Sequence, residues 1–404
     1  MNHNCIATYR LYDDRADFHK KAESIAIGLT VGSWTDLPEL QKESMRKHLG
    51  RVEGVHIYES DQPGERYADI AIAYPDVNFS HDIPALLVTV FGKLSMDGRV
   101  KLIDLQWSDD FQQAFAGPKF GVDGVRKLLG VYDRPLLMSI FKSVIGHDLP
   151  TLKEQFYQQA LGGVDLIKDD EILFENPLTP IQDRVRACME AAQQAEQTTG
   201  KKLLYAANLT GSTFKLREQA LRAIDAGANA LLFNTLSYGY DALHGLSADK
   251  DINVPILAHP AMAGALYPSP HYGISASLLL GKLMRLAGAD LILFPSPYGS
   301  VTMPREDNQG IRAACLDTHM PMNRSLPVPS AGIHPALVPL IIKDFGTDVV
   351  VNAGGGVHGH PDGTASGGQA FVQAIEATMQ GIQLADYAAS HAELQAALHM
   401  WGNK

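Results

Sequence analysis

The sequence has few of the features that mark exported or membrane proteins. Its 404 residues include only three cysteines, Cys5, Cys188 and Cys315, which lie far apart and without CxxC spacing. Their odd number rules out a fully paired disulfide framework. No apolar run has the length needed to span a bilayer, and the N-terminus lacks the basic and apolar regions of a signal peptide. These absences predict a cytoplasmic protein without a membrane segment.

Positive charge is also scarce. The chain has 34 Lys and Arg residues against 45 Asp and Glu residues, a net charge of -11. A general nucleic-acid binder needs a basic face that displaces counterions from phosphates, so we expect no nucleic-acid partner. A small anionic substrate remains compatible with this charge, because local groups set its binding.

The composition and length predict a soluble globular protein of two domains. The apolar fraction is 46% and the charged fraction 20%, which is typical of a chain with a large core. No repeat or long linker marks the boundary, but the pattern of elements changes near residues 117–134. We therefore expect domains at residues 1–125 and 126–404.

The first domain shows strand and helix patterns in the order βαββαβ, which predicts a ferredoxin-like α+β fold. The second predicted helix has Ser80 or Asp82 as a possible N-cap and Pro84 in its first turn. The predicted strands cover 6–12, 52–58, 67–74 and 100–107, and the predicted helices cover 16–27 and 83–94.

Eight short apolar runs alternate with helical stretches in the second domain. This pattern and the domain length favour a (β/α)8 TIM barrel followed by C-terminal helices, with an open doubly wound sheet as the alternative. Most of the runs end in polar, Gly or Pro residues, as barrel strands do at the functional end. The runs are 135–140, 163–167, 202–207, 228–233, 254–258, 289–294, 326–329 and 348–351.

The second of these strands ends in one lysine and three acids, Lys168 to Glu171. Such charges cannot all be buried without partners. A solvated acidic loop is one interpretation. At the mouth of a barrel, however, Asp170 and Glu171 could offer the hard oxygen ligands that Mg²⁺ prefers.

Glycine-rich segments follow the last two predicted strands. They contain Ser330 and Gly332 after strand seven, and Gly354 and Gly355 after strand eight. Glycine lets backbone N–H groups approach an anion closely, and barrels often bind phosphate with these two loops. Flexible turns are the alternative interpretation, since a glycine run is a weak motif on its own.

Five segments together resemble the RuBisCO superfamily: GPKFG at 117–121, GGVDLIKDDE at 162–171, AHPAM at 258–262, PSAGIHP at 329–335 and NAGGGVHGHP at 352–361. The resemblance implies that CO₂ carbamylates Lys168, which then binds one Mg²⁺ with Asp170 and Glu171. It also implies that His259 and His334 contact the substrate. We expect hydrogen-bonded loop roles for His358 and His360.

The sequence departs from a carboxylase at three positions. Ser300 stands where the mobile loop carries a lysine that orients CO₂, and Gly28 stands where its partner glutamate would lie. The family's KPK motif is matched to Gly117, Pro118 and Lys119, so its first lysine, the enolising base, is replaced by glycine. Carboxylation is therefore expected to fail.

Three further segments, GLTVGSWTDLP at 28–38, VFGKLSMDG at 90–98 and LFPSPYGSV at 293–301, resemble one branch of the RuBisCO-like proteins. That branch enolises 2,3-diketo-5-methylthiopentyl-1-phosphate in methionine salvage. The resemblance implies that Lys93 is the base, although a helix-end cation is the simpler interpretation of this lysine. The other implied roles are enolate stabilisation by Lys119 and His259, and phosphate binding by Ser330, Gly332, Gly354 and Gly355.

The same resemblance implies a homodimer with composite sites, in which Ser33 and Trp34 of one subunit close the barrel of the other. An apolar wall for the methylthio group could come from Phe294, Pro295 or Pro297. Three other functions remain open: an isomerase acting on a related methylthio-sugar phosphate, a true carboxylase and a non-catalytic binding protein. Product analysis, incorporation of labelled CO₂ and magnesium dependence separate them.

Overall fold

Each of two units of the chain contains one sheet. The structure is a computed structural model that describes residues 3–32, 43–299 and 301–402. Contacts divide the chain into Met1–Ala116 with Met262–Leu283, and Gly117–Ala261 with Met284–Lys404. The division at residues 125 and 126 stays a prediction. The return of segment 262–283 to the first unit is not predicted by the sequence.

The first unit has the ferredoxin-like arrangement, which confirms the prediction. Its sheet order is β10-β4-β1-β3-β2, with β1 antiparallel to β3 and β4 and with β10 parallel to β4. Its elements are β1 Asn4–Tyr12, α1 Phe18–Gly28, β2 Arg51–Tyr58, β3 Tyr67–Pro75, α2 Ile83–Leu87, β4 Val100–Gln106, α3 Asp109–Gln113 and β10 Gly273–Ile274.

Local sequence explains these elements. Residues of β1 are alternately buried and half-buried, so one face of the strand packs against the core. The Asp17 carboxylate accepts the N–H of Lys20 and starts α1. The Asp82 carboxylate caps α2 in the same way, through the N–H of Ala85. The predicted helical stretch 83–94 begins as α2 and continues directly as a π-helical turn, Val88–Gly92.

The second unit is a nearly closed barrel of eight parallel strands, which confirms the (β/α)8 prediction over the open sheet. The pairing runs β12-β11-β9-β8-β7-β6-β5-β13, and β12 and β13 lie side by side. The strands are β5 Leu136–Ile140, β6 Leu166–Lys168, β7 Leu204–Asn208, β8 Ala230–Phe233, β9 Ile256–Ala258, β11 Leu291–Pro295, β12 Leu326–Ser330 and β13 Val350–Ala353.

Helices follow the strands of the barrel and complete the C-terminal part of the unit. They are α4 Gly121–Leu129, α5 Leu149–Leu161, α6 Ile181–Thr199, α7 Leu216–Asp225, α8 Tyr240–Ala248, α9 Leu283–Leu286, α10 Arg305–Leu316, α11 Val338–Phe345, α12 Gly355–His358, α13 Thr364–Met379, α14 Leu384–Ala388 and α15 Ala392–Trp401.

Alternate residues of the barrel strands fill the interior with Leu, Val, Ala and Met side chains. Val122 and Val125 of α4 pack into the same core. The N–H groups of Phe120 and Gly121 donate to Asp290, the residue before β11. Helix α4 therefore closes the amino-terminal end of the barrel, and the carboxyl ends of the strands are left for a binding site.

Among the described helices, none combines the length and the apolar character that crossing a membrane requires. Cys5, Cys188 and Cys315 are buried and form no disulfide.

Candidate active site

A cavity of about 820 Å³ lies at the carboxyl ends of the barrel strands. Residues at the end of β6, and residues shortly after β5, β9, β11, β12 and β13, line it. In a TIM barrel this end carries the loops that vary with function. The cavity therefore lies where a barrel enzyme binds its substrate.

Lys168 is the last residue of β6 and its side chain is only 1% exposed. Its Nζ donates to the carbonyl oxygen of Asp169 at 2.9 Å and lies 3.6 Å from Glu171 Oε2. Burial lowers the pKa of Lys168 to about 8, although the neighbouring carboxylates oppose this shift. A substantial fraction of the amine is therefore neutral near physiological pH.

Two carboxylates lie next to this amine. Asp170 Oδ2 is 3.1 Å from Lys142 Nζ, and Glu171 Oε2 is 3.6 Å from His259 Nε2. Burial opposes ionisation of Glu171, but the Lys168 and Lys142 ammonium groups and a backbone donor leave its pKa below the usual value. The structure thus places Lys168 and Glu171 on the wall of the cavity, with Asp170 beside them and in contact with Lys142.

His259 follows β9 and its ring is almost fully desolvated. Desolvation, with the charge of Lys168, holds the pKa of His259 well below its usual value, so the imidazole is neutral. Its Nδ1 accepts the backbone N–H of Ala261 at 3.2 Å. The ring therefore carries its proton on Nε2, which faces Glu171.

The glycine-rich loops after β12 and β13 line the same cavity with Ser330, Gly332, Gly354 and Gly355. Asn352 Nδ2 donates to Ser330 Oγ at 2.7 Å and links the two strand ends. Ala331 and Gly332 both have positive φ, at 72° and 67°. A non-glycine residue in this region stores strain, which is common where backbone is shaped around a ligand.

Family comparisons agree with this architecture. The ribulose bisphosphate carboxylase large chain N-terminal domain matches residues 1–111, and the catalytic domain of the same large chain matches residues 121–401. The chain belongs to the ribulose bisphosphate carboxylase large-chain family. The resemblance predicted from its sequence segments is therefore confirmed.

Relatives of this RuBisCO-like chain match over nearly its whole length. It is 56% identical over 404 residues to the 2,3-diketo-5-methylthiopentyl-1-phosphate enolase of Geobacillus thermodenitrificans, and 55% identical over 399 residues to the protein of the same name from Bacillus pumilus. Each match covers 98% of both chains.

Solved structures show the same fold. A rubisco-like protein (MtnW) from Alicyclobacillus acidocaldarius is 50% identical, with a TM-score of 0.94 and full coverage of both chains. The octameric ribulose-1,5-bisphosphate carboxylase/oxygenase of Pyrococcus horikoshii is 30% identical, with a TM-score of 0.91, over 100% of this chain and 94% of that one.

Lys119 is not at the cavity, which corrects the expectation that it stabilises an enolate. Its Nζ donates to the carbonyl oxygens of Asp249 and Ile252 at 2.7 and 2.6 Å. Those residues precede β9 and therefore lie at the amino-terminal end of the barrel. The neighbouring Gly117 belongs to the same end and cannot mark a lost base at the mouth.

Lys142 is a lysine of the cavity that the sequence interpretation did not include. It follows β5 by two residues, lines the cavity and contacts Asp170. The sequence indicates Lys142 by its position just after the first barrel strand, because barrel enzymes carry catalytic residues at the ends of their strands. The short run FKS at 141–143 has neither the proline nor the second lysine of a KPK motif, so motif letters alone point to 117–119.

Lys93 is exposed and lies in the first unit, directly after the π-helical turn. It lines a separate cavity of about 550 Å³ with Lys21 and Gly28 among its neighbours. Single π turns in helices are frequent at functional sites. The proposed base thus lies beside a concave surface of its own unit.

Other predicted residues have different outcomes. Ser33, Trp34 and Ser300 lie outside the described residues. His334 lines the barrel cavity and stacks on Trp401, with ring centroids 6.1 Å apart. His358, the last residue of α12, and His360 each place Nε2 2.8 Å from a backbone carbonyl, which agrees with the expected hydrogen bonding.

The apolar wall of the cavity differs from the prediction. Phe294 is fully buried and packs on Phe345, because alternate residues of a barrel strand point away from the interior. Neither Pro295 nor Pro297 lines the cavity. Its apolar lining comes from Ile140, Leu293, Ile333, Met400 and Trp401.

Proposed function

We propose that this chain catalyses the enolisation of 2,3-diketo-5-methylthiopentyl-1-phosphate, an isomerisation in methionine salvage. The observation that carries the proposal is the 56% identity, over 98% of both chains, to a relative with that enolase name. The cavity supports it, because charged groups lie at one end and glycine-rich loops at another, as a phosphorylated diketone requires.

We further propose that Lys168, carbamylated by CO₂, holds one Mg²⁺ together with Asp170 and Glu171. The residues fit this group, because a desolvated amine of pKa about 8 can react with CO₂ and two adjacent carboxylates are hard oxygen ligands. Bound there, the ion would supply Lewis-acid stabilisation to the substrate's oxygens.

The two loops of Ser330, Gly332, Gly354 and Gly355 are proposed to bind the phosphate. Their backbone N–H groups can approach its oxygens closely, since three of the four residues have no side chain to intervene. His334 is proposed to contact the substrate from the same wall. The methylthio end would then lie against the apolar lining, where Met400 and Trp401 are candidates.

Lys93 is proposed to remove the proton from the carbon that bears the phosphate. The electron pair of that C–H bond forms the enol double bond, and the adjacent carbonyl oxygen becomes a hydroxyl when it receives a proton. The Lys142 ammonium and the Nε2–H of the neutral His259 are the donors at the cavity that can stabilise this oxygen as charge develops.

Carboxylation is not part of the proposal. Ser300 and Gly28 remain departures from the carboxylase pattern. Gly117 lies at the other end of the barrel and therefore does not bear on carboxylation. A cytoplasmic location is proposed on the three buried, unpaired thiols.

Deuterium exchange at the phosphate-bearing carbon tests the proposal. Wild-type protein with Mg²⁺ and bicarbonate should exchange and form the enol, and Lys93→Ala should be slower by roughly 10²-fold or more, the usual contribution of a general base. Lys21→Ala is the matched control, since Lys21 lines the same cavity. Exchange at the wild-type rate in Lys93→Ala would remove Lys93 as the base. Turnover of the 1-phosphate ketose without enol formation would favour the isomerase.

A homodimer with composite sites is also proposed, with Lys93 of one subunit serving the barrel of its partner. Lys93→Ala and Glu171→Gln should each be inactive alone. When subunits of the two variants are separated and re-mixed, about half of the dimers contain one subunit of each variant, and one of the two sites in such a dimer is intact. The mixture should therefore recover about a quarter of wild-type turnover. Absence of recovery, with mixed dimers demonstrated by mass spectrometry, would contradict composite sites.

A further inference from the structure

The turn of residues 168–171, which we name the metal turn, has one acid that faces away from the cavity. Asp169 is fully buried. Its carboxylate accepts the Tyr205 hydroxyl at 2.7 Å, the backbone N–H of Asn208 at 2.9 Å and a guanidinium N–H of Arg184 at 3.2 Å. Arg184 and Tyr205 are themselves fully buried. This acid is therefore held by the barrel wall and is not available as a ligand.

The carbonyl groups of the metal turn are held from a second side. Asn208, the last residue of β7, is 2% exposed, and its Nδ2 lies 3.2 Å from the carbonyl oxygen of Asp170 and 3.0 Å from that of Glu171. Asn234, the residue after β8, places its Nδ2 3.1 Å from the same Glu171 oxygen. The ends of two neighbouring strands thus donate to the backbone of both acids.

We propose that Tyr205 and Asn208 are positioning residues that hold the metal turn in the geometry that binds the cation. They act through Asp169 and through the carbonyls of Asp170 and Glu171, without contacting the ion themselves. The inference rests on the proposed metal site at Lys168, Asp170 and Glu171.

The physical reason is the short length of the turn. Lys168 and Glu171 line the cavity whereas Asp169, which lies between them in sequence, is held by the barrel wall, so a rotation of Asp169 would displace Lys168 and Asp170 on either side of it. Carboxylates bind a cation tightly only if they are held in place before it arrives, and loss of such a supporting group typically weakens metal binding 10- to 100-fold.

Tyr205→Phe is the sharpest test, because it removes one hydrogen bond to Asp169 and keeps the ring that packs on Phe156. Mn²⁺ binding to the intact protein in bicarbonate, followed by electron paramagnetic resonance, should weaken by roughly tenfold or more. The matched control is Tyr74→Phe, which removes a buried 2.8 Å hydrogen bond to Tyr9 in the other unit. Its Mn²⁺ affinity should equal that of wild type.

A second variant and a second signal keep the test independent of folding defects. Asn208→Ala should also weaken Mn²⁺ binding, and in both variants the ¹³C resonance of a carbamate formed from labelled bicarbonate should decrease. Thermal melts of every variant identify any loss of fold.

The outcomes are distinguishable. Wild-type Mn²⁺ affinity and carbamate signal in both Tyr205→Phe and Asn208→Ala would overturn the positioning role and leave the metal site in place. The proposed metal site itself fails if the wild-type protein binds no Mn²⁺, or if Glu171→Gln binds Mn²⁺ as well as wild type does. The positioning role then fails with it.

Discussion

Three lysines of the proposed mechanism differ in their surroundings. Lys168 is desolvated at the end of β6, whereas Lys142 is partly exposed beside Asp170, and Lys93 is exposed in the first unit. Removal of an ammonium group from water favours the neutral amine. Burial therefore explains why Lys168 is the lysine suited to react with CO₂.

The lowered pKa of Lys168 should appear in the pH dependence of its carbamylation. Its pKa is lowered to about 8, and the neutral form that reacts increases as pH rises through that value. At fixed dissolved CO₂, the initial rate of carbamate formation should rise about tenfold per pH unit below 8 and level off above it. Stopped-flow mixing with ¹³CO₂ and detection by NMR or mass spectrometry measures this rate.

The control for that measurement is Lys168→Met, which should form no stable carbamate at the site. A rate that keeps rising up to pH 10 would mean that the lysine titrates like an exposed one. Such a result would contradict the role given to its burial.

Lys119 and Lys142 lie at opposite ends of the barrel. Lys119 lies in a segment whose letters resemble a catalytic motif, but its amine is satisfied by two carbonyls at the closed end of the barrel. Lys142 lies in an unremarkable run and reaches the cavity. The end of the barrel on which a residue lies decides its chemistry, and motif letters alone do not report it.

At the level of elements, the backbone of the loop after β13 lies very close to the backbone of the loop after β12. A Cβ added at Gly356 would lie 2.3 Å from the carbonyl oxygen of Ile333, so no side chain fits there. Gly356→Ala should therefore push the two loops apart. A shift of about 1 Å at a binding loop can cost 10²-fold, so KM for the phosphorylated substrate should rise by 10- to 100-fold.

Steady-state kinetics and the affinity for inorganic phosphate measure this effect. The control is Gly245→Ala in α8, where the added Cβ meets open space and alanine favours the helix. An unchanged KM in Gly356→Ala would show that the loops do not bind the phosphate as a pair.

The second helix of the first unit changes its helical type within the stretch that its sequence predicts as helical. Apolar periodicity continues to residue 94, but α2 ends at Leu87 and a π turn follows. The wider turn leaves Thr89 Oγ1 donating to the Ala85 carbonyl at 2.8 Å.

For the whole molecule, the chain crosses between the units more than once. Segment 262–283 leaves the barrel sequence after β9 and joins the first unit, where β10 pairs with β4. Lys101 Nζ donates to the carbonyls of Tyr267 and Ser269, both at 2.7 Å. The first unit is therefore incomplete if the chain is cut after residue 116.

Lys101→Met should destabilise the protein by about 1–3 kcal/mol, because two carbonyls lose a charged donor. Urea unfolding followed by circular dichroism measures the change. Lys20→Met, on the exposed side of α1, should change stability by less than about 0.5 kcal/mol. Equal stability of Lys101→Met and wild type would mean that segment 262–283 is held by other contacts.

The sequence by itself determined the fold class and the family. Periodicity located all eight barrel strands and the βαββαβ order, because local patterns of apolar residues reflect which face of an element is buried. Turn and strand-end motifs also located Lys168, Asp170, Glu171 and the glycine loops.

Only the tertiary structure decided which of these residues meet. It separated Lys119 from the site, brought Lys142 and Trp401 into the cavity, turned Phe294 away and joined segment 262–283 to the first sheet. These outcomes depend on contacts between residues that are far apart in sequence, and on which end of the barrel a loop emerges. No local pattern contains that information.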